Sequence, residues 1–166
     1  ALLIMLNGCS AVPIEDYAEN RPILVAETFF SGELIASGIV KDRSGRVIRY
    51  FNATIDASWE GGVGTLDEQF VFDDGEEQTR VWTLERTAAG AYIATAGDVI
   101  GESQMKVLGN SLFMQYVLRI PYGDGTIDVN VDDRMYLVSD TVLLNESVMS
   151  KWGFHVGQIT LVIQKK

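Results

Sequence analysis

Phe51, Ala53, Ile55, Ala57 and Trp59 alternate without a break with Asn52, Thr54, Asp56, Ser58 and Glu60. A period of two places the first set on one face of a pleated strand and the second on the other, so this stretch reads as a strand with one buried face. The pattern recurs. Leu112, Met114, Tyr116, Leu118 and Ile120 share a face opposite Phe113, Gln115, Val117 and Arg119. Ile127, Val129 and Val131 alternate with Thr126, Asp128, Asn130 and Asp132, and Asp133 continues their apolar face. Further strands are expected over Phe29 to Val40, Leu66 to Phe72, Gln78 to Arg86, Tyr92 to Ala96, Leu143 to Ser150 and Phe154 to Gln164. Gly32 and Gly38 mark places where the first of these bends sharply or a neighbour comes close. Turn residues separate the runs at Asp42-Arg43-Ser44-Gly45, Gly61-Gly62-Val63-Gly64, Gly109-Asn110 and Pro121-Tyr122-Gly123-Asp124-Gly125.

Roughly ten short strands with tight turns and no convincing helix predict an all-β barrel or sandwich. The run of simple hairpins favours a single antiparallel, lipocalin-like (calycin-type) up-and-down barrel of about 8–10 strands, the last pairing with the first. The 166 residues suit one domain, and with 47% apolar residues the chain can bury a core. Thirteen basic against 23 acidic residues leave a net charge of −10, which repels nucleic acid and anionic headgroups. Cys9 is the only cysteine, so no internal disulfide supports the fold.

The most informative hairpin surrounds Asp73-Asp74-Gly75. Glu68 falls on the apolar face of Leu66, Phe70 and Phe72, and a lone buried carboxylate is costly. On the next strand Arg80 shares a face with Trp82 and Leu84. A three-residue loop closed by Gly75 in the left-handed region pairs Phe72 with Glu76, Glu68 with Arg80 and Leu66 with Trp82. A two-residue turn at Asp74-Gly75 would instead set Glu68 opposite Val81. Glu68 and Arg80 then have two readings: a buried ion pair that fixes register, or a polar anchor for a ligand headgroup inside an apolar cup.

Other acidic positions carry less. Gly97-Asp98-Val99-Ile100-Gly101-Glu102 lacks the glycine spacing of a dinucleotide site and no helix follows it, so it is not read as a phosphate cradle. Asp128, Asp132 and Asp133 do not have the spacing of a calcium loop. His155, the sole histidine, has no serine or cysteine motif to partner it. No cofactor or metal is expected.

The N-terminus speaks to location. Leu6-Asn7-Gly8-Cys9 is similar to the cleavage site of a lipoprotein signal, where Cys9 would become the lipidated first residue of the mature protein. Asn7 is larger and more polar than the residue usual there. The chain opens inside the apolar middle of such a signal, so its basic start is expected to precede Ala1. The alternative is an apolar N-terminal strand with a buried free cysteine. The domain expectation is therefore a signal remnant at 1–8, lipidated Cys9 with a flexible tether at 9–20, and the barrel at 21–166. No later apolar run approaches the ~20 residues needed to span a bilayer.

Phe29-Phe30-Ser31-Gly32-Glu33-Leu34, Gly64-Thr65-Leu66-Asp67-Glu68-Gln69-Phe70, Asp74-Gly75, Arg80-Val81-Trp82, Gly97-Asp98-Val99-Ile100-Gly101, Gly109-Asn110, Asp132-Asp133, Asn145-Glu146-Ser147 and Lys151-Trp152-Gly153 occur in this order. Together they resemble the bacterial lipoproteins of domain of unknown function 3833, from Ile23 to the C-terminus. The resemblance implies a lipid-anchored envelope protein with a lipocalin-like barrel and brings no activity with it. Arg134 stands where the family usually has an aromatic after the paired aspartates, and Gln104 where it has a further glycine. An outer-membrane anchor facing the periplasm is favoured slightly over an inner one, because Ser10 rather than an aspartate follows Cys9.

Three functions fit. The first is a module binding a lipid or other apolar small molecule, with Glu68, Arg80 and Asp98 as polar contacts and Trp59, Phe70, Trp82 and Tyr116 as walls. The second is a structural envelope protein with a filled barrel and an unknown protein partner. The third, the weakest, is a barrel enzyme using Glu68 as acid or base. Replacing Cys9 by Ser in the full precursor should move the protein from the membrane to the soluble fraction and leave the fold intact. Persistence of Cys9→Ser protein in the membrane fraction on cell fractionation would contradict the lipidation reading.

Overall fold

The computed structural model describes residues 11–166. Ten antiparallel strands run in sequence: β1 (Gly32–Asp42), β2 (Val47–Glu60), β3 (Val63–Phe72), β4 (Glu77–Ala88), β5 (Ala91–Thr95), β6 (Ser103–Leu108), β7 (Ser111–Tyr122), β8 (Gly125–Ser139), β9 (Val142–Lys151) and β10 (Phe154–Lys165). Each pairs with its neighbours in the chain, and β10 returns to pair with β1, closing an up-and-down barrel. Closure removes the unpaired edges that an open sheet would expose.

Alternation decides what fills the barrel. Ala53, Ile55 and Ala57 of β2, Leu112, Met114 and Leu118 of β7, and Val129 and Val131 of β8 are buried, while their neighbours face outward. At Gly38 a side chain would collide with the Phe51 ring at 2.5 Å and Leu161 Cβ at 2.7 Å. At Gly64 it would strike the Trp59 indole at 2.7 Å. These glycines are where an inward ring lies flat against the opposite backbone.

The two ends of the barrel differ. At one, the hairpin turns at 61–62, 89–90, 109–110 and 140–141 meet a lid made by residues 23–31. The strand expected from Phe29 begins only at Gly32, because Phe29 and Phe30 are both 3% exposed and successive residues of a half-buried strand cannot both point inward. One helical turn, α1 (Ala26–Phe29), buries both rings, and Gly32 at φ +79° redirects the chain into β1. Leu24 N–H donates to the Gly109 carbonyl at 2.8 Å, and Trp59 Nε1 donates to the Phe30 carbonyl at 2.8 Å. Lys165 Nζ donates to the carbonyls of Thr28, Phe29 and Ser31. These bonds hold the lid where α1 is too short to satisfy its own ends.

Residues 12–20, expected to form a flexible tether, lie against the outside of the barrel at this closed end. Ile14 is buried in a 3₁₀ turn, and Tyr17 packs on Phe113 and Tyr136 at 5.7 and 5.4 Å between ring centroids. Arg134 donates to the Val12 carbonyl at 2.9 Å and lies over the Phe113 ring at 4.3 Å. The segment is polar by composition, yet its two large side chains bury against β6 and β7, enough to hold so short a stretch. Cys9 falls outside the described residues.

The turns at 43–46, 73–76, 123–124 and 152–153 surround the other end, which has no lid among the described residues. Replacing Gly64 by Val should push the Trp59 indole off the Phe30 carbonyl and destabilise the protein by about 1–3 kcal/mol. Urea unfolding followed by tryptophan fluorescence should show the midpoint fall.

Candidate functional site

The turn after β3 decides the register of the inward charges. Gly75 adopts φ +84°, its N–H donates to the Phe72 carbonyl at 3.0 Å, and the Phe72 N–H donates to the Glu76 carbonyl at 2.9 Å. This is the three-residue loop, and it sets Glu68 opposite Arg80 and Leu66 opposite Trp82.

The inward charges do not form a simple pair. Arg80 Nη1 stands 4.0 Å from Glu68 Oε2, while Nε and Nη2 of the same guanidinium make a bidentate contact with Asp98 at 2.7–3.0 Å. The cause lies in the wall. β5 and β6 are short, so the far part of β4 and the far part of β7 have no strand between them. The 96–102 loop fills that gap: Val99 bridges to Leu118, Ile100 N–H donates to the Val117 carbonyl, and Arg119 N–H donates to the Asp98 carbonyl. The loop is joined to β7 by its backbone and to β4 by the Asp98–Arg80 contact.

Across the interior a second carboxylate is fully enclosed. Asp133 of β8 is 5% exposed. Its Oδ1 accepts from Asn145 Nδ2 and from Ser147 Oγ at 2.9 Å, and its Oδ2 accepts from Tyr116 Oη at 3.2 Å. Burial raises the Asp133 pKa against these hydrogen bonds, and it raises Tyr116 well above the usual phenol value. Glu68 has a side chain 13% exposed. Its pKa is pushed up to about 7, first by burial and then by Asp133, Asp98 and Asp67, with Arg80 opposing.

The structure therefore brings together Glu68, Arg80, Asp98, Phe70, Trp82 and Tyr116. The Trp82 and Tyr116 rings stand 5.3 Å apart, and the Arg80 guanidinium is 5.8 Å from the Phe70 ring centre. Trp59 is not with them: it lies at the closed end, edge-to-face with Tyr92 at 5.9 Å and bonded to the lid. Asn145 and Ser147 carry part of the family resemblance but are not among the site residues expected from sequence; they occupy inward positions between Leu143 and Met149. Asp132 pairs with Arg134 and Asp128 with Arg119, so these two turn away from Asp133. Arg134 and Gln104 face outward and do not line the interior.

Exposure divides the interior in two. Toward the lid the inward side chains are buried, including Leu34, Ala94, Met105, Leu112 and Leu143. Toward the other end Phe70, Phe72, Ile120, Ile127, Ile159 and Leu161 are only partly covered. These side chains pack against the core and border the uncovered end of the barrel, hereafter the cup, with the charged cluster beneath them and exposed Tyr122, Trp152 and Phe154 in the surrounding turns and strand ends. Two depressions lie apart from it: a groove of about 540 Å³ between the lid and the 89–90 and 109 turns, and one of about 290 Å³ on the outer face of β1–β3.

Residues 3–165 match the family described as "Protein of unknown function (DUF3833)". The chain belongs to that family. No curated protein matches it. Among solved structures, the DUF3833 chain is similar to an S-type phycobiliprotein lyase from Guillardia theta, with a TM-score of 0.61 and 10% identity over 86% of this chain and 94% of that one. It is also similar to a protein of unknown function from the DUF3598 family of Nostoc punctiforme PCC 73102, with a TM-score of 0.63 and 14% identity. That match covers 88% of this chain and 51% of the other, so the DUF3833 chain spans about half its length. At these identities the likeness establishes the barrel fold.

Glu68 makes stability pH-dependent, with the sign set by a raised carboxyl. Between its ordinary value of 4.5 and about 7 the folded protein holds a proton that the unfolded chain has lost. Stability from this group is complete below pH 4.5 and falls by about 3 kcal/mol as pH rises through 7. Asp133 shifts in the same direction. Urea unfolding at pH 5 and pH 8 should show the wild type weaker at pH 8, and Glu68→Gln should reduce that difference.

Proposed function

We propose that the barrel binds an apolar small molecule, a lipid or lipid-like compound, in its open half, and that acyl chains on Cys9 hold the protein at a bacterial envelope membrane. The observation that supports binding is the division of the interior. Partly covered Phe70, Phe72, Ile120, Ile127, Ile159 and Leu161 line the open half, above a floor formed by Glu68, Arg80, Asp98 and Tyr116. Apolar walls with a few convergent polar groups are the usual make-up of a small-molecule site. Leu112 and Leu143, toward the lid, are 1% and 0% exposed by contrast. In this reading Phe70, Trp82 and Tyr116 act as walls, and Trp59 belongs to the lid. The lipobox-like Leu6-Asn7-Gly8-Cys9 supports the anchor.

A second reading rests on Glu68. A carboxyl titrating near neutrality beside a cup meets the requirement for a group that exchanges a proton with a bound substrate. It predicts turnover, so recovering an added ligand chemically unchanged after prolonged incubation would decide for binding alone.

Native mass spectrometry of protein purified from its own cells should show an apolar adduct. An uncharged fluorescent dye such as Nile red should bind with a blue-shifted emission. Ile127→Trp, which fills the cup near its rim, should weaken dye binding at least tenfold while leaving the circular dichroism unchanged. Equal binding by wild type and Ile127→Trp would place the dye elsewhere.

A further inference from the structure

The charges at the floor of the cup select one kind of headgroup. An anionic headgroup held at a partly buried, acidic floor is best offset by a free cation, and the described residues offer none there. Arg80 commits Nε and Nη2 to Asp98, and its remaining amino group faces Glu68. Arg49, nearer the rim, is held by Asp74 and Glu76 at 3.3 and 3.0 Å and lies on the Phe72 ring. Lys151 Nζ donates to the Asp128 carbonyl at 2.5 Å. Lys151 and Arg49 keep further donors, but both lie toward the rim, and a carboxylate at the floor would meet Glu68, Asp98 and Asp133 around a single guanidinium.

The acceptors are unevenly used. Asp133 is occupied on both oxygens by Asn145, Ser147 and Tyr116. Asp98 is occupied by Arg80. Glu68 alone has no hydrogen-bond donor, only the 4.0 Å approach of Arg80, and its side chain retains contact with the cup. The charged and titratable groups around it are Arg80 from β4, Asp98 from the 96–102 loop, Tyr116 from β7, Asp133 from β8 and its own neighbour Asp67, whereas Ile55, opposite it on β2, is uncharged. A protonated amine placed there would supply the missing donor and offset the excess negative charge.

We propose that the cup is specific for an apolar molecule with a cationic amine headgroup, which Glu68 receives, and that it discriminates against carboxylate and phosphate headgroups. This rests on the cup being the binding site. Because the amine favours ionised Glu68, binding strengthens as pH rises through neutrality, where Glu68 loses its proton, and the bound amine in turn lowers the carboxyl's pKa.

Three decyl compounds test it: decylamine, decanol and decanoate, each displacing Nile red from the full mature protein at pH 5.5 and 8.5. Decylamine should bind at least tenfold tighter than decanoate at pH 8.5, with its advantage over decanol shrinking several-fold at pH 5.5. In Glu68→Gln the amine's advantage over decanol, compared within the variant, should lose its pH dependence. The comparison among headgroups on the wild type holds even if that variant folds poorly. Decanoate binding as tightly as decylamine, or an amine advantage unchanged in Glu68→Gln, overturns the headgroup assignment and leaves the cup standing. Failure of all three compounds to displace the dye overturns the cup and the headgroup together.

Discussion

The contact between Arg80 and Asp98 ties the 96–102 loop to β4 across the gap that short β5 and β6 leave in the wall. Strands β5 and β6 end early, and a barrel with a gap in its wall would expose unpaired backbone on β4 and β7. The 96–102 loop repairs the β7 side with backbone bonds, but it reaches β4 through one bidentate side-chain contact. That use of the guanidinium has a second effect. Burial raises the affinity of Glu68 for a proton, and Arg80, drawn toward the loop, does not cancel that rise. A structural repair and a chemically receptive group thus share one arginine.

The architecture could be read from the sequence because alternation is a local property. The faces of β2, β7 and β8 follow from counting every second residue, and Gly75 in the left-handed region chose between two registers that differ in which face Arg80 meets. The pairing of Glu68 with Arg80 was legible for the same reason. The preference of Arg80 for Asp98 was not, because it depends on a gap in the wall that arises only when ten strands of unequal length close on one another. Asn145 and Ser147 were visible as polar residues on an inward face, but their purpose appears only when β8 brings Asp133 beside them.

The errors are equally physical. Phe29 fits a strand by residue type, yet two adjacent rings that must both be buried call for a helical turn. Trp59 sits on the same face as Ile55 and Ala57, which made it a wall candidate. Position along the strand, rather than face, assigns it to the lid, where its indole N–H meets the Phe30 carbonyl. The polar segment before Pro22 has too few apolar residues to predict packing, but Ile14 and Tyr17 find apolar surface on the outside of a sheet whose outer face is otherwise mostly polar.

The path of residues 12–20 also sets a direction. The chain joins the barrel beside the lid, where Arg134 grips Val12, while the rim with Tyr122, Trp152 and Phe154 lies at the far end of the strands. Whatever holds the N-terminus holds the barrel by its base, and the opening looks away from that support. On the proposed reading, a molecule leaving the cup would pass into the surrounding space or to a surface opposite, and not back along the N-terminal segment.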